Sequence, residues 1–407
     1  MKLIATWKAA LSATIPVAGG PMFALAEGSA GVDSARGRFT DLKAAQSSVP
    51  APQENRPAKT GPILSCRDLW KVYGGDARRV RAILAEGSSR DEKIARLIAE
   101  GANPSVAGVS LDVRNGEILM VMGLSGSGKS TMVRCLSRLI EPEAGEVRFE
   151  GLDLLQAKPA DLTEIRRRKI GMVFQNFGLM GHLTAINNVA FPLRVQGLAL
   201  ADRLAKARSM LELVGLAGRE DCFPHLLSGG QQQRVGIARS LITDPDLWFL
   251  DEPFSALDPL IRKQMQDEFL RLQAKLHKTI IFVTHDFLEA ARLGDRIAIM
   301  KDGKIVQIGS VLDFLLNPAD DYVRSFVADV PALRVVKAGQ IAVPVKEAFT
   351  SQGDPVVNAE ESIESTLKCF LGGAQRVAVR KADGTITGII DHNLIKSFLG
   401  RTNSGHA

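Results

Sequence analysis

The sequence predicts an α/β fold in which short buried strands alternate with helices. The strand candidate Ile118–Met122 runs directly into a glycine-rich loop at residues 123–130, and a helical pattern follows it. Three further apolar runs, at residues 170–174, 247–250 and 280–284, are bounded by turn or charged residues. Such runs are typical of parallel strands covered on both faces, and the helical patterns between them complete the α/β alternation.

Periodicity and turn residues place the other elements. In chain order we expect a strand and turn at residues 63–72 ending in Tyr73, a helical insertion at 76–103, a strand at 109–113, a helix at 131–139, a mainly helical segment at 175–227, and, beyond about residue 331, strands at 376–380 and 385–390 with a helix led by Asp391.

Composition limits the class of protein without selecting a partner. The 407 residues are 45% hydrophobic and 24% charged, and the formal net charge is only +6. No stretch reaches the roughly 20 uninterrupted apolar residues that a membrane helix needs. The four cysteines are scattered without metal-ligand spacing, so we expect free thiols in a reducing compartment.

The N-terminus imitates a secretory signal, because Lys2 and Lys8 precede an apolar segment at residues 9–26. Proline and glycine interrupt the middle of that segment. We interpret it as a spurious or vestigial leader, with a real targeting signal as the alternative. Residues 27–60 are rich in Ala, Ser, Gly, Pro and Gln and are predicted to be a disordered linker.

The glycine-rich loop fits the motif G-x-x-x-x-G-K-S/T at every position. In such a loop, successive backbone N–H groups point into one concavity at the positive end of the following helix, and glycines leave room for phosphates. We expect Lys129 to neutralise the β- and γ-phosphates and the Ser130 hydroxyl to bind Mg²⁺. The sequence therefore predicts a nucleoside triphosphate bound with Mg²⁺. The candidate ligands here are Gly123, Ser125, Gly126, Ser127, Gly128, Lys129, Ser130 and Thr131.

Two adjacent carboxylates, Asp251 and Glu252, follow the apolar run at residues 247–250. Carboxylates at a strand end can divide the work of hydrolysis. We expect Asp251 to hold Mg²⁺ through water and Glu252 to polarise the attacking water.

Taken together, the motifs resemble those of the nucleotide-binding subunit of an ABC transporter. Residues 227–231 read Leu-Ser-Gly-Gly-Gln, the signature of that family, and residues 73–329 carry its other motifs in order. The resemblance implies a P-loop ABC-type nucleotide-binding domain with a helical subdomain. It also implies a homodimer in which two subunits sandwich two ATP molecules, the P-loop of one facing the signature of the other.

The resemblance carries roles to matching residues. Gln175 would sense Mg²⁺ and water, Asp258 would communicate across the dimer, and His285 would contact the γ-phosphate. Tyr73 would stack on adenine, with Trp70 as the competing candidate. The nucleotide contacts expected from the partner's signature are Ser228, Gly229, Gly230 and Gln231.

Within the family, the chain is most similar to the glycine betaine/proline (quaternary-amine) uptake group. The runs that carry this likeness are residues 122–134, 138–142, 254–262 and 265–268. The likeness implies a peripheral subunit on the cytoplasmic face of the inner membrane that energises uptake of glycine betaine, proline or choline. A transmembrane permease, contacted near residues 176–183, and an external substrate-binding protein would be its partners.

Other hypotheses stay open. The chain could serve another ABC importer, for an amino acid or other small polar solute, or be a non-transport ABC ATPase. The basic run at residues 166–169 lacks interleaved aromatics and reads as a solvated helix end, so we expect no nucleic-acid partner.

The C-terminal part resembles a cystathionine-β-synthase (CBS) type domain, with one repeat recognisable at about residues 355–400. Simple dimer contact and ligand or ionic-strength sensing are its alternative roles. We therefore expect a leader-like or disordered extension at 1–60, the nucleotide-binding domain at 61–332 with its helical subdomain at about 176–240, and a small α+β CBS-like domain at 333–407.

Overall fold

The computed structural model describes residues 61–175, 178–255, 257–345 and 353–403. The predicted leader and linker lie outside these residues. The strands are β1 (Leu64–Tyr73), β2 (Asn103–Val113), β3 (Ile118–Met122), β4 (Ala144–Phe149), β5 (Leu152–Asp153), β6 (Ile170–Val173), β7 (Leu247–Asp251), β8 (Thr279–Val283), β9 (Arg296–Lys301), β10 (Lys304–Gly309), β11 (Val343–Pro344), β12 (Val356–Asn358), β13 (Arg376–Arg380) and β14 (Ile386–Asp391).

Helices cover the sheets and connect their strands. The α-helices are α1 (Ala77–Ala85), α2 (Arg90–Ala99), α3 (Lys129–Leu136), α4 (Pro159–Arg168), α5 (Ala185–Val195), α6 (Leu200–Leu213), α7 (Gly229–Leu241), α8 (Pro259–Leu276), α9 (Phe287–Leu293), α10 (Val311–Leu316), α11 (Asp321–Val327), α12 (Ala332–Val335), α13 (Ala338–Ile341), α14 (Ile363–Leu371) and α15 (His392–Asn403).

The central sheet has six strands in the order β10-β9-β3-β8-β7-β6. Strands β9, β3, β8, β7 and β6 pair in parallel, and β10 closes one edge in antiparallel pairing. Every residue of β3, β7 and β8 is buried, as continuous apolar runs between two helical layers should be. The carboxyl ends of β3 and β7 therefore open onto the same edge, where the P-loop and the paired carboxylates follow.

A second sheet, ordered β2-β1-β4-β5, is antiparallel. Strand β2 is longer than the predicted 109–113, because residues 103–108 pair with the end of β1, where Tyr73 lies opposite Asn103. The predicted helical insertion is a pair of short helices, α1 and α2, joined to this strand pair. A Ser89–Glu92 capping box fixes the start of α2.

The helix after the P-loop begins at Lys129 and ends at Leu136, two residues earlier at its start than predicted and three at its end. The loop runs straight into the helix, so the first turn contains motif residues. Arg138 adopts a positive φ of 56°, which an α-helix does not allow, and the chain turns there.

The C-terminal segment forms a third sheet, ordered β11-β14-β13-β12, with its own apolar core around Val377, Val379 and Ile390. Leu312, Leu315 and Leu316 of α10 pack against that core. Helix α10 also buries Val311 and Phe314 in the main core. Helix α10 thus packs against both cores and joins the third sheet to the rest of the chain.

Candidate nucleotide-binding site

The P-loop lies directly on two neighbouring backbone segments. Gly128 has a φ of 97°, and a Cβ atom there would stand 2.1 Å from the Ser105 carbonyl oxygen. Gly123 has a φ of 146°, and its Cβ would stand 2.3 Å from the Met300 carbonyl oxygen. Glycine is required at both positions for two reasons, the backbone conformation and the lack of space.

Lys129, the first residue of α3, is buried, and its ammonium group is held inside the loop. Its Nζ donates to the carbonyl oxygens of Gly123 at 2.8 Å and Leu124 at 3.0 Å. Burial lowers the pKa of Lys129, while the nearby Glu252 and Asp251 oppose that shift. Two carbonyl oxygens at the start of the loop thus hold the cation in place.

The Ser130 hydroxyl donates to Asp251 Oδ1 at 2.9 Å, which joins the P-loop helix to the end of β7. Asp251 is fully buried, and its other oxygen, Oδ2, has no hydrogen-bond partner among the described residues. Burial raises the pKa of Asp251, and the bond from Ser130 opposes this. Hydroxyl and carboxylate oxygens, one of them buried without a partner, are a donor set that suits Mg²⁺.

Glu252 brings the predicted catalytic residues together. Its Oε2 accepts from Gln175 Nε2 at 3.3 Å and lies 3.4 Å from His285 Nδ1. Glu252 adopts a φ of 48°, a left-handed conformation that costs a non-glycine residue free energy. A strained backbone that aims one carboxylate between an amide and an imidazole is typical of a functional site.

A buried polar network stands behind His285. Glu289 on α9 accepts hydrogen bonds from Gln266 Nε2, at 2.8 Å, and from the Thr284 hydroxyl. Arg262 on α8 donates to the carbonyl oxygens of Phe254, at 3.2 Å, and Leu257, at 3.1 Å, and so holds the loop that precedes α8. The sequence assigned these residues no role at the site, because a local pattern does not show which groups their side chains contact.

Of the two aromatic candidates near the end of β1, Tyr73 is partly exposed, at 42%, and Trp70 is 1% exposed. Trp70 donates its indole N–H to Asp68 at 2.9 Å and packs among apolar residues of the insertion. The Lys71 ammonium lies 5.1 Å from the centroid of the Tyr73 ring. Trp70 is thus a core residue, and only Tyr73 offers a surface on which a base could stack.

The signature residues occupy a different surface. Ser228 begins α7 with a capping box, in which its Oγ accepts from the Gln231 N–H and the Gln231 side chain accepts from the Ser228 N–H. The side chain of Gln231 therefore serves the helix terminus. The signature residues face a depression in the surface beside α7. Its lining residues are Gly215, Leu216, Ser228, Gly229, Gly230, Gln231, Arg234, Leu257, Asp258 and Ile261.

The other predicted ligands belong to the P-loop or to α3. Ser125 and Gly126 lie in the turn, Ser127 is buried with an unpartnered hydroxyl among the described residues, and Thr131 is in the first turn of α3. The roles of all these residues as ligands stay predictions.

Comparison with known proteins identifies the class. The ABC transporter family model matches residues 106–255. The dimeric structure of the ATP-binding cassette MJ0796 in a post-hydrolysis state, bound to ADP and Pi, is similar at a TM-score of 0.52 and 32% identity. That similarity covers 61% of this chain and 99% of that one. The predicted α/β ABC fold is confirmed.

Curated relatives are more similar in sequence. The trimethylamine N-oxide transport system ATP-binding protein TmoW of Pelagibacter ubique is 49% identical over 81% of this chain and 95% of its own length. The glycine betaine/proline betaine transport system ATP-binding protein ProV of Salmonella typhimurium is 47% identical over 69% of each chain. The chain belongs to the ABC transporter family, and it is an ATP-binding, ATP-hydrolysing subunit. The predicted resemblance to the betaine uptake group is confirmed.

Proposed function

We propose that this chain hydrolyses ATP with Glu252 as the general base. As the oxygen of water attacks the γ-phosphorus, Glu252 accepts the proton of that water, and the bond from the γ-phosphorus to the β–γ bridging oxygen breaks to give ADP and phosphate. His285 and Gln175 orient the water and the γ-phosphate, and Lys129 neutralises the phosphate charge. The convergence of Gln175 and His285 on Glu252 Oε2 carries this proposal.

Mg²⁺ would be held by the Ser130 hydroxyl, by Gln175 and, through water, by Asp251. When bound, it supplies positive charge that stabilises the phosphate oxygens during transfer. The unpartnered Oδ2 of buried Asp251 supports this assignment, because an isolated buried carboxylate oxygen is otherwise costly.

We infer that two copies of this chain face each other and that each completes the other's site. Ser228 and Asp258 line a depression of their own, whereas Glu252 and His285 border another. Backbone N–H groups at the start of α7 suit a γ-phosphate electrostatically, since the helix dipole is positive there. The dimeric state of the related cassette supports the same arrangement.

The transported compound is proposed to be a small methylated amine, such as glycine betaine, proline betaine, choline or trimethylamine N-oxide. The names of the relatives support this class, and the match to TmoW spans nearly the whole length of that protein. An external binding protein would deliver the compound to a membrane permease. No helix among the described residues is long and apolar enough to cross a membrane. We place the chain on the cytoplasmic face of the inner membrane, attached through that permease.

The permease contact is proposed for the loop at residues 176–183. Its first two residues, Asn176 and Phe177, lie outside the described residues. Buried Asn188 on α5 braces the remainder of the loop, since its amide donates to the carbonyl oxygens of Met180 at 3.1 Å and Leu183 at 2.9 Å. A braced loop of this kind could transmit movement to a partner.

The third sheet is proposed to be a single CBS-like unit. Its proposed role is contact between the two chains of the dimer, with ligand or ionic-strength sensing as the alternative.

Uptake measurement tests the proposal. Cells that make this chain with its permease and binding protein are given radiolabelled glycine betaine, choline, proline or trimethylamine N-oxide. Wild-type protein should drive accumulation of the methylated amines. Glu252→Gln should bind ATP normally but lower both the ATPase rate and uptake by about 100- to 10,000-fold, the usual contribution of a general base.

Unlabelled carnitine and an amino acid such as histidine serve as competitors that define the substrate class. Normal hydrolysis by purified Glu252→Gln protein would remove Glu252 from the catalytic role. Accumulation of amino acids in place of methylated amines would leave the ATPase assignment standing and overturn the substrate class.

A further inference from the structure

Tyr322 lies far from every nucleotide motif in the sequence, yet its hydroxyl touches the P-loop. It is on α11, the helix that follows α10 and leads toward the third sheet. Its Oη accepts a hydrogen bond from the Leu124 N–H at 3.2 Å and donates to the Met300 carbonyl oxygen at 3.1 Å. One phenol thus connects the second residue of the loop to the end of β9.

The peptide unit that Tyr322 contacts is one of the two whose carbonyl oxygens accept from Lys129. The Leu124 N–H and the Gly123 carbonyl belong to the same planar peptide group. Tyr322 accepts from the N–H end of that group, and Lys129 Nζ donates to its oxygen at 2.8 Å. Because the peptide group is planar, the hydrogen bond to Tyr322 at its N–H end also fixes the direction of the carbonyl that accepts from the Lys129 ammonium.

The same peptide has little freedom on its other side. Gly123 lies so close to the Met300 carbonyl oxygen that a Cβ atom would stand 2.3 Å from it. Tyr322 donates to that oxygen. The hydroxyl and the close approach of Gly123 therefore fasten the loop to one point on β9.

The phenol ring is itself held in place. Phe326, one turn further along α11, packs edge-on against it at a centroid distance of 5.1 Å, and the Lys301 ammonium lies 4.8 Å from the ring centroid. Val323 and Val327 anchor α11 in the main core.

We propose that Tyr322 is a positioning residue for the P-loop, which orients the Gly123–Leu124 peptide and through it Lys129 for phosphate binding. The proposal rests on the phosphate-binding role assigned to Lys129. It gives α11, the helix between the nucleotide site and the third sheet, a direct contact with the loop that binds the triphosphate.

Titration of the full-length chain with MgADP tests this, because ADP fills the loop without turnover. Tyr322→Phe removes only the hydroxyl and keeps the ring. Of the two hydrogen bonds that this removes, the one from the Leu124 N–H orients the loop, and its loss predicts that the dissociation constant for MgADP rises about 2- to 12-fold. Ser325→Ala is the matched control, since it removes from the same helix a hydroxyl that, among the described residues, donates to the Tyr322 carbonyl, at 2.7 Å, and does not contact the P-loop.

A second measurement distinguishes a specific effect on the position of Lys129 from a general loss of structure in the variant. Reductive methylation of the nucleotide-free protein, followed by mass spectrometry, reports how accessible the Lys129 amine is. Tyr322→Phe should raise the extent of Lys129 modification several-fold, while Lys304, which pairs with Asp91, should react as in the wild type.

Unchanged MgADP affinity in Tyr322→Phe, or an equal loss in Ser325→Ala, overturns the inference. Lys129→Ala separates it from the proposed function. If Lys129→Ala binds MgADP as tightly as the wild type does, the phosphate-binding role fails; if it loses affinity while Tyr322→Phe does not, only the role of Tyr322 fails.

Discussion

Asp251 and Glu252 are neighbours in sequence but occupy different environments. Asp251 ends a buried strand and is fully buried, with one oxygen bonded to Ser130. Glu252 turns out of the sheet with a positive φ, and its side chain is 17% exposed beside His285. Under the proposed mechanism, this difference keeps Asp251 fixed in the protein and leaves Glu252 free to face the reacting phosphate.

Asp251→Asn should stabilise the nucleotide-free protein while impairing hydrolysis. Burial raises the pKa of Asp251, so the folded chain keeps its proton at pH values where the unfolded chain has released it. The free energy of unfolding therefore falls as pH rises between the unfolded and the folded pKa, and the variant should lose this dependence. We expect the ATPase rate to fall about 10- to 100-fold.

Urea unfolding from pH 4 to pH 8 without nucleotide measures the stability of both proteins. An Asp251→Asn protein that is less stable than the wild type at pH 7 would contradict the assigned effect of burial.

At the level of elements, the P-loop is shaped as much by the segments under it as by its own motif. Ser105 at the start of β2 and Met300 at the end of β9 present carbonyl oxygens where Gly128 and Gly123 pass. Gly126 also has a positive φ, of 82°, but nothing lies within 4 Å of a Cβ placed there. Gly126 is therefore constrained by its backbone conformation alone, whereas Gly128 is constrained by both its conformation and the lack of space.

Gly128→Ala should destabilise the fold more than Gly126→Ala does. Both place alanine at a positive φ, which costs about 1–2 kcal/mol. Only Gly128→Ala also drives a Cβ into the Ser105 carbonyl, which adds about 1–3 kcal/mol. Thermal or urea unfolding without nucleotide compares them, and equal losses would mean that the contact with β2 is not a constraint.

At the scale of the whole molecule, the proposed nucleotide contacts lie on two separate surfaces. The P-loop and Glu252, which we propose to contact phosphate and water, lie on one, and the depression beside α7 contains Ser228 and Asp258. A complete site would need one half from each of two chains. The dimer proposal therefore predicts that two inactive variants, each changed on a different one of these surfaces, can form one active site together.

Mixing Lys129→Ala with Ser228→Arg chains should restore ATPase activity that neither has alone. A mixed dimer combines the intact P-loop of the Ser228→Arg chain with the intact signature of the Lys129→Ala chain. Random pairing makes half of the dimers mixed, each with one complete site of two, so about one quarter of the wild-type rate is expected.

Ser89→Arg is the control for this experiment. It disrupts an equivalent capping box on α2, outside the nucleotide site, so any loss from capping alone, about 1 kcal/mol, appears there too. If the mixture has no more ATPase activity than each variant alone, the proposal that two chains share each site is wrong.

Much of the site could be predicted from the sequence, because its chemistry lies in contiguous motifs. The P-loop and the Asp251-Glu252 pair are short runs that follow apolar strands, and parallel strands bring their carboxyl ends to one edge. Gln175 and His285 were placed by family resemblance, and the structure sets both beside Glu252. Trp70 and Tyr73 could not be separated by sequence, since burial alone distinguishes them.

By itself, the sequence determined the α/β alternation, the loop that binds phosphate and the family, since these depend on local patterns of apolar, glycine and charged residues. Only the tertiary structure decided which backbone the glycines rest on, how Arg262 and Glu289 brace the loops beside the site, and that Tyr322 reaches the P-loop. The physical reason is distance along the chain: Leu124 and Tyr322 are 198 residues apart, and no local pattern encodes a hydrogen bond between them.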